Sequence, residues 1–219
     1  MTDATSEEPA APAAPADGAA TGAGRGVVAG ADGRLRCPWG LSTPDYVAYH
    51  DIEWGRPVRG DRLIFERLCL EAFQSGLSWL TILRKRENFR KAFAGFDLEV
   101  VAAFGEDDVA RLLADAGIVR NRAKIRAAIN NARAALELKE GLSDLFWGFA
   151  NPASATAPVT VADVPPQTPA SKQLAKELRA RGFVFTGPVT VYAAMQACGL
   201  VNDHLAACFA RDNDTDSNQ

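Results

Sequence analysis

The chain has only two histidines, and each stands near a cysteine: Cys37 lies thirteen residues before His50, and His204 lies four residues before Cys208. Four side chains of the kind that bind zinc therefore bracket the molecule, two near each end. If they share one ion, the N- and C-terminal segments must meet, which excludes any fold that keeps its ends apart. An i,i+4 spacing on a helix would put His204 and Cys208 on one face a turn apart, the reach a tetrahedral ion needs. The same four residues also suit a plainer reading, as unrelated core or surface positions, and spacing alone does not separate the two.

What lies between the ends decides whether a staple is needed. A chain of 219 residues is long enough for one large domain or two small ones with a substantial core. Residues 1–33 are mostly Ala, Pro, Gly, Thr and acidic residues, with no aromatic and no apolar period. They cannot offset the entropy of ordering, so they read as a disordered tail, and the acidic residues 211–219 read as another. That leaves 34–210 as the folded domain. The start has neither the basic opening nor the apolar core of a secretory signal, and no later run is apolar enough to span a bilayer. The expectation is a cytoplasmic protein away from membranes, its four cysteines being thiols or metal ligands rather than disulfides.

The formal charge of −3 changes meaning once it is divided along the chain. Residues 1–33 carry a net −4 and residues 211–219 a net −2, which leaves +3 on 34–210. The bases cluster in Arg84-Lys85-Arg86 with Arg90 and Lys91, and again in Arg120, Arg122, Lys124 and Arg126. Such runs are commonly solvated helix faces, but two in one small core keep a nucleic acid partner open.

The periodicity is helical almost throughout. Thr43 and Pro44 have the form of a cap and first helical residue, with Gly55 closing a short helix that carries Tyr46, Tyr49, His50 and Trp54. Asp61 looks like the next cap, before a stripe of Ile64, Phe65, Leu68, Cys69, Ala72 and Phe73 up to Gly76, which makes Cys69 a core residue. Ser78 caps a helix ending at Gly95, and 97–104 is a short one. Residues 106–136 read as two helices broken at Gly117, the second capped by Asn121. Further helices are expected over 143–149, 170–181 and 189–198, with a last one from Asp203 holding His204 and Cys208. The fold class is all-α.

Two stretches could carry chemistry. The first is Ala116-Gly117-Ile118-Val119 running into Arg120 to Arg126. A glycine turn opening a helix can point backbone N–H groups at a phosphate oxygen, with Arg122 and Lys124 supplying charge. The second is Leu70 to Trp79, where Glu71 falls at the edge of the apolar stripe beside Arg67 and Gln74. Trp39, Tyr46, Tyr49, Trp54 and Trp79 come from three nearby segments and include three of the four tryptophans. Aromatics around a flat ligand with one carboxylate at the rim would select a planar cation that also donates hydrogen bonds. The plainer readings are an ordinary helix corner at Gly117 and a surface-boundary ion pair between Glu71 and Arg67.

The runs Cys37-Pro38-Trp39, Tyr46 to Gly55, Glu71 to Trp79 and Met195 to His204 closely resemble the bacterial 3-methyladenine DNA glycosylase I family, over nearly all of residues 36–209. The motifs depart from that pattern at Pro38, which could alter the approach to a metal, and at Ala72-Phe73, whose phenylalanine could line the pocket. The resemblance implies a helix-hairpin-helix glycosylase fold with structural zinc on Cys37, His50, His204 and Cys208. It implies that Glu71 reads the flipped base, that Tyr49 and Trp79 stack on it, and that Trp39 and Tyr46 line the site. The partner implied is double-stranded DNA with alkylated bases, which the glycine turn reading would contact around Gly117, Arg122 and Lys124; Leu77, at the turn before Ser78, reads as a wedge into the stack or as a plain core residue of the helix connection. No lysine lies in the pocket motifs, so the expected enzyme is a monofunctional glycosylase without a lyase step; a monomer is expected. The competing readings are a helix-hairpin-helix nucleic-acid-binding protein without chemistry and a glycosylase for another alkylated purine.

Overall fold

The computed structural model describes residues 24–150 and 156–211, so the expectations for 1–23 and 212–219 lie outside the described residues. Nine α-helices are present among the described residues, together with one two-stranded hairpin. That hairpin is β1 (Val28–Ala29) and β2 (Leu35–Arg36), antiparallel with Val28 opposite Arg36. Residues 24–33, read from composition as tail, thus belong to the structured part. They have no core of their own, as the composition implied, and lean instead on other segments. Val161 N–H donates to the Arg25 carbonyl at 3.3 Å, and just beyond these residues Phe209 N–H donates to that of Leu35 at 2.9 Å.

After a single 3-10 turn, Pro38–Leu41, comes α1 (Pro44–Ile52). Thr43 Oγ1 accepts from Tyr46 N–H at 3.3 Å, and one side of the helix buries Tyr46, Tyr49 and His50. The central element is α2 (Asp61–Gln74), with nine buried residues that include the whole anticipated stripe and Cys69. Its cap is Gly60 rather than Asp61. The Asp61 carboxylate, one residue inside, instead accepts from Ser143 N–H at 2.8 Å, while Gly60 N–H donates to Ser143 Oγ at 3.0 Å. Such a tie to a distant segment is invisible in local sequence.

Helix α3 (Trp79–Ala92) is capped by Ser78 Oγ, which accepts from Thr81 N–H, and the chain leaves it through Gly95 at φ +66. The short α4 (Leu98–Ala102) follows, and then the helical pair α5 (Glu106–Ala114) and α6 (Arg122–Leu136), with Asn121 capping α6 as anticipated. The remaining helices are α7 (Leu142–Trp147), α8 (Pro169–Ala180) and α9 (Pro188–Ala197). Gly199 ends α9 at φ +70, and a Cβ there would lie 2.5 Å from the Arg56 carbonyl carbon, so no side chain fits.

The last expected helix does not form. Residues 201–211 are turns, and two of their backbone donors are taken by other segments: Ala206 N–H reaches the Pro158 carbonyl at 2.7 Å, and Phe209 N–H reaches Leu35. One continuous core runs from Tyr46 to Leu200, and a small second one holds Cys37, Leu205, Cys208 and Ala210. Trp39 packs against both.

Candidate functional site

The second core is built around the four residues that open and close the domain. The ligand atoms of Cys37, His50, His204 and Cys208 all lie within 4.8 Å of one another, and all four residues are buried. Cys208 Sγ is 3.4 Å from His50 Nε2 and 3.6 Å from His204 Nδ1, and Cys37 Sγ is 3.8 Å from His204 Nδ1. A tetrahedron with metal bonds of roughly 2.0–2.3 Å has edges of about 3.3–3.8 Å, so this donor set fits a tetrahedral ion. His204 and Cys208 meet without a helix, because Cys208 N–H turns back to the Leu205 carbonyl at 2.8 Å. Gly40 lies over the other imidazole, where a Cβ would come within 2.7 Å of His50 Cγ and Cδ2.

The electrostatics suit a cation. The Cys208 thiol is held far below its ordinary range by the hydrogen bond from Cys37, and, against burial, by its contacts with His204 and His50. Cys37, which keeps the shared proton, is pushed far upward by the same contact and by burial. Each histidine also has its outward nitrogen engaged. His50 Nδ1 donates to Asp51 Oδ1 at 2.8 Å, and His204 Nε2 to the Trp54 carbonyl at 3.0 Å, which leaves His50 Nε2 and His204 Nδ1 facing inward. Asp51 is a partner that sequence reading passed over, although its place directly after His50 was the available signal.

The aromatic group lies directly against this cluster. Trp39 is 5.1 Å from the His50 ring, 5.0 Å from Trp54 and 5.8 Å from Tyr46, and Trp54 is 4.7 Å from the His204 ring. On the far side of Tyr49 stands Trp79, at 5.4 Å with a tilt of 44°. Tyr46, Tyr49 and Trp79 are buried and Trp39 is half-buried. The buried Nε1 of Trp79 finds no acceptor among the described residues.

Glu71 points from α2 into this neighbourhood, where its charge helps raise the Tyr49 pKa after burial itself. Burial pushes the Glu71 carboxyl up to about 8, with Arg67 only partly opposing. The expected boundary pair does not form: Arg67 Nη2 donates to Glu53 at 3.3 Å, and Arg67 Nη1 stands 3.8 Å from Glu66. Glu53 in turn takes both nitrogens of Arg86, and Arg90 holds Glu66 at 2.7 Å, so an ion-pair belt ties α1, α2 and α3 together beneath the aromatics. No hydrogen bond to Glu71 is made among the described residues. Phe73 is also buried but faces the core, 4.7 Å from Phe89 and 5.7 Å from Phe93, so it packs behind the group rather than lining it.

The candidate nucleic-acid contacts separate into exposed and buried. Leu77 is 40% exposed in the turn before Ser78. Arg122 is exposed, with Glu106 at 3.9 Å. In the hairpin turn, Gly117 N–H is already taken by Asp115 Oδ1 at 2.7 Å, and the Gly117 carbonyl accepts from Lys85 and Asn88. The N–H groups of Val119, Arg120 and Ala123 have no partner among the described residues. Lys124 departs from expectation. It is buried, and its ammonium donates to the carbonyls of Phe73 and Ser75, so its charge closes the C-terminal end of α2 instead of facing a phosphate.

No helix among the described residues is long and apolar enough to cross a membrane. A family model described as methyladenine glycosylase matches residues 39–211. The DNA-3-methyladenine glycosylase 1 of Escherichia coli is 49% identical over 177 residues, covering 79% of this chain and 95% of the relative. The DNA-3-methyladenine glycosylase of Haemophilus influenzae is 44% identical over 177 residues, covering 79% and 96%. Among solved structures, a crystal structure of 3-methyladenine DNA glycosylase I matches with a TM-score of 0.76 at 49% identity, over 80% of this chain and 98% of that one. The enzyme of that name from Staphylococcus aureus, described for its recognition of 3-methyladenine, matches with a TM-score of 0.76 at 35% identity, over 80% and 96%. With most of its length matched in sequence and in fold, this chain belongs to the methyladenine glycosylase family.

Proposed function

We propose that the protein is a DNA-3-methyladenine glycosylase, which hydrolyses the bond between the alkylated base and its deoxyribose and leaves an abasic site. The observation that carries this reading is Glu71, a buried carboxyl without a hydrogen-bond partner among the described residues, close enough to Tyr49 to raise its pKa, while Trp79 packs against Tyr49. A buried polar group normally has a partner. Here the Trp79 N–H is unmatched as well, and a base that donates to Glu71 and accepts from its surroundings suits such a site.

Methylation at N3 makes adenine a cation and a good leaving group, so the bond electrons depart with the base while water attacks the sugar. The protein's work is then to extrude, hold and expose. Flipping costs a few kcal/mol, and stacking on aromatics returns about 1–3 kcal/mol per base. With the two so close, the carboxylate decides selectivity: it attracts the cationic base and has no comparable partner in neutral adenine. Tyr49 and Trp79 are in contact with each other, so the base either stacks on their outer faces or parts them. No lysine occurs in the motifs that build the pocket, and the nearby Lys124 ammonium is tied to two carbonyls, which supports direct hydrolysis without a Schiff base.

The Cys2His2 cluster would hold zinc through Cys37, His50, His204 and Cys208. All four donors come from the protein, the pattern of a closed structural site, so the ion supplies a cross-link rather than chemistry. Leu77 serves as the wedge, and the α5–α6 turn with Arg122 meets the DNA backbone. The protein acts as a monomer in the cytoplasm. Incubation with methylated duplex DNA and identification of the released base tests the reading. Release of 3-methyladenine supports it. Release of a different alkylated purine alone, or DNA binding without release, assigns one of the competing functions.

A further inference from the structure

The two histidines of the cluster are oriented by different means. His204 uses a backbone carbonyl, that of Trp54, whereas His50 relies on the side chain of Asp51. Asp51 does not stand alone. Arg36 Nε donates to Asp51 Oδ1 at 2.9 Å and Nη2 to Oδ2 at 2.8 Å. The other edge of the same guanidinium meets Asp32, with Nη1 and Nη2 each 2.7 Å from one carboxylate oxygen. Arg36 is only 3% exposed, yet its donors are met by two carboxylates and, at 3.5 Å, by the Arg34 carbonyl.

Asp32 and Arg36 both belong to the β1–β2 hairpin, which lies before the segment matched by the family model. The hairpin also reaches the second half of the cluster. The Phe209 ring, directly after Cys208, lies beneath the guanidinium groups of Arg34 and Arg36 at 5.0 and 4.9 Å, and its N–H is bonded to Leu35.

We propose that the hairpin is a clasp on the metal centre, in which Arg36 is a positioning residue. By fixing the Asp51 carboxylate it keeps the proton of His50 on Nδ1 and the Nε2 lone pair directed at the ion, while Phe209 holds the Cys208 turn. This inference rests on the reading of the cluster as a zinc site. A carboxylate that orients a ligating imidazole tunes metal affinity by about 10–100-fold. A guanidinium that forks between two carboxylates has no lysine substitute.

The test uses the full-length protein purified with zinc and follows transfer of the metal to a chromogenic chelator. Arg36→Met is expected to release zinc about 10–100-fold faster than the parent, and Arg36→Lys to behave similarly. Asp32→Ala, a change on the exposed turn that leaves the fold intact, gives a smaller acceleration in the same direction. Arg84→Met, which breaks the exposed pair with Asp45, leaves the rate unchanged. Melting with and without chelator separates the clasp from mere packing: the variants fall below the parent in the loaded form, whereas a packing role lowers both forms equally. A parent protein that binds no metal overturns both the zinc reading and the clasp. Zinc retained by the parent and released at one rate by parent and variants overturns the clasp alone.

Discussion

His204 Nε2 donates to the carbonyl oxygen of Trp54 across 3.0 Å, a hydrogen bond that joins the Cys2His2 cluster to the aromatic group. The Trp54 ring also packs edge-on against the His204 ring and against Trp39. A shift of His204 is therefore passed to the rings of Trp54 and Trp39. Cys208→Ser is expected to lower bound zinc and to unfold the protein at markedly lower temperature, since structural zinc contributes on the order of 10 kcal/mol in small domains. Metal analysis of the purified variant beside its thermal melt checks this, and full zinc retention would remove Cys208 from the ligand set.

The Glu71 carboxyl, raised from the ordinary 4.5 to about 8 by burial, is mainly protonated in the free protein at neutral pH. A cationic base favours the ionised form, so productive binding releases a proton. Excision is expected to rise with pH and level off above about 8, and Glu71→Gln to be slower by about 10²-fold with no such rise. Stability runs the opposite way. A carboxyl raised on folding favours the fold fully below pH 4.5 and loses that contribution as pH climbs to about 8. Glu71→Gln should thus match the parent near pH 4 and melt higher near pH 9. Rate profiles and melts across that range decide the point, and a pH-independent parent would deny Glu71 its role.

Arg122 is exposed at the start of α6 and its nearest acid, Glu106, is 3.9 Å away, so its charge is available to a phosphate. Arg122→Ala is expected to weaken duplex binding about equally for all sequences and to reduce the slope of log affinity against log salt by about one. Titrations at several salt concentrations measure both quantities. An unchanged slope would move the backbone contact elsewhere on the hairpin.

The helices were legible because their signals are local. Thr43, Ser78 and Asn121 cap where they were expected to, and the stripe from Ile64 to Phe73 is buried as the period demanded. The exceptions share one cause: their partners lie far along the chain. Asp61 is drawn off its capping role by Ser143, the residues after Asp203 surrender helical bonds to Pro158 and Leu35, and the first hairpin is ordered by Asp51 and Phe209. At the site, residue types were readable but directions were not. Phe73 and Glu71 both lie in α2, yet the first turns to Phe89 while the second remains without a partner among the described residues.

Lys124 shows how burial reverses the meaning of a charge. In the basic run from Arg120 to Arg126 it looks like a phosphate contact, but its ammonium lies in the interior, bonded to the carbonyls of Phe73 and Ser75. Those carbonyls, two and four residues beyond Glu71, flank the end of α2, and they lead into the turn that presents Leu77 and starts α3 at Trp79. Lys124→Met keeps the length of the side chain and removes its donors, leaving two carbonyls unmatched, each at about 1–3 kcal/mol. The expected result is a stability loss of that order or somewhat more, with reduced excision because Trp79 and Leu77 lose their fixed turn. The salt slope of DNA binding should not change, which separates this role from a phosphate contact. Denaturant unfolding and salt-dependent binding on the same preparation give both readings, and a slope that falls by about one with unaltered stability would restore Lys124 to the DNA surface.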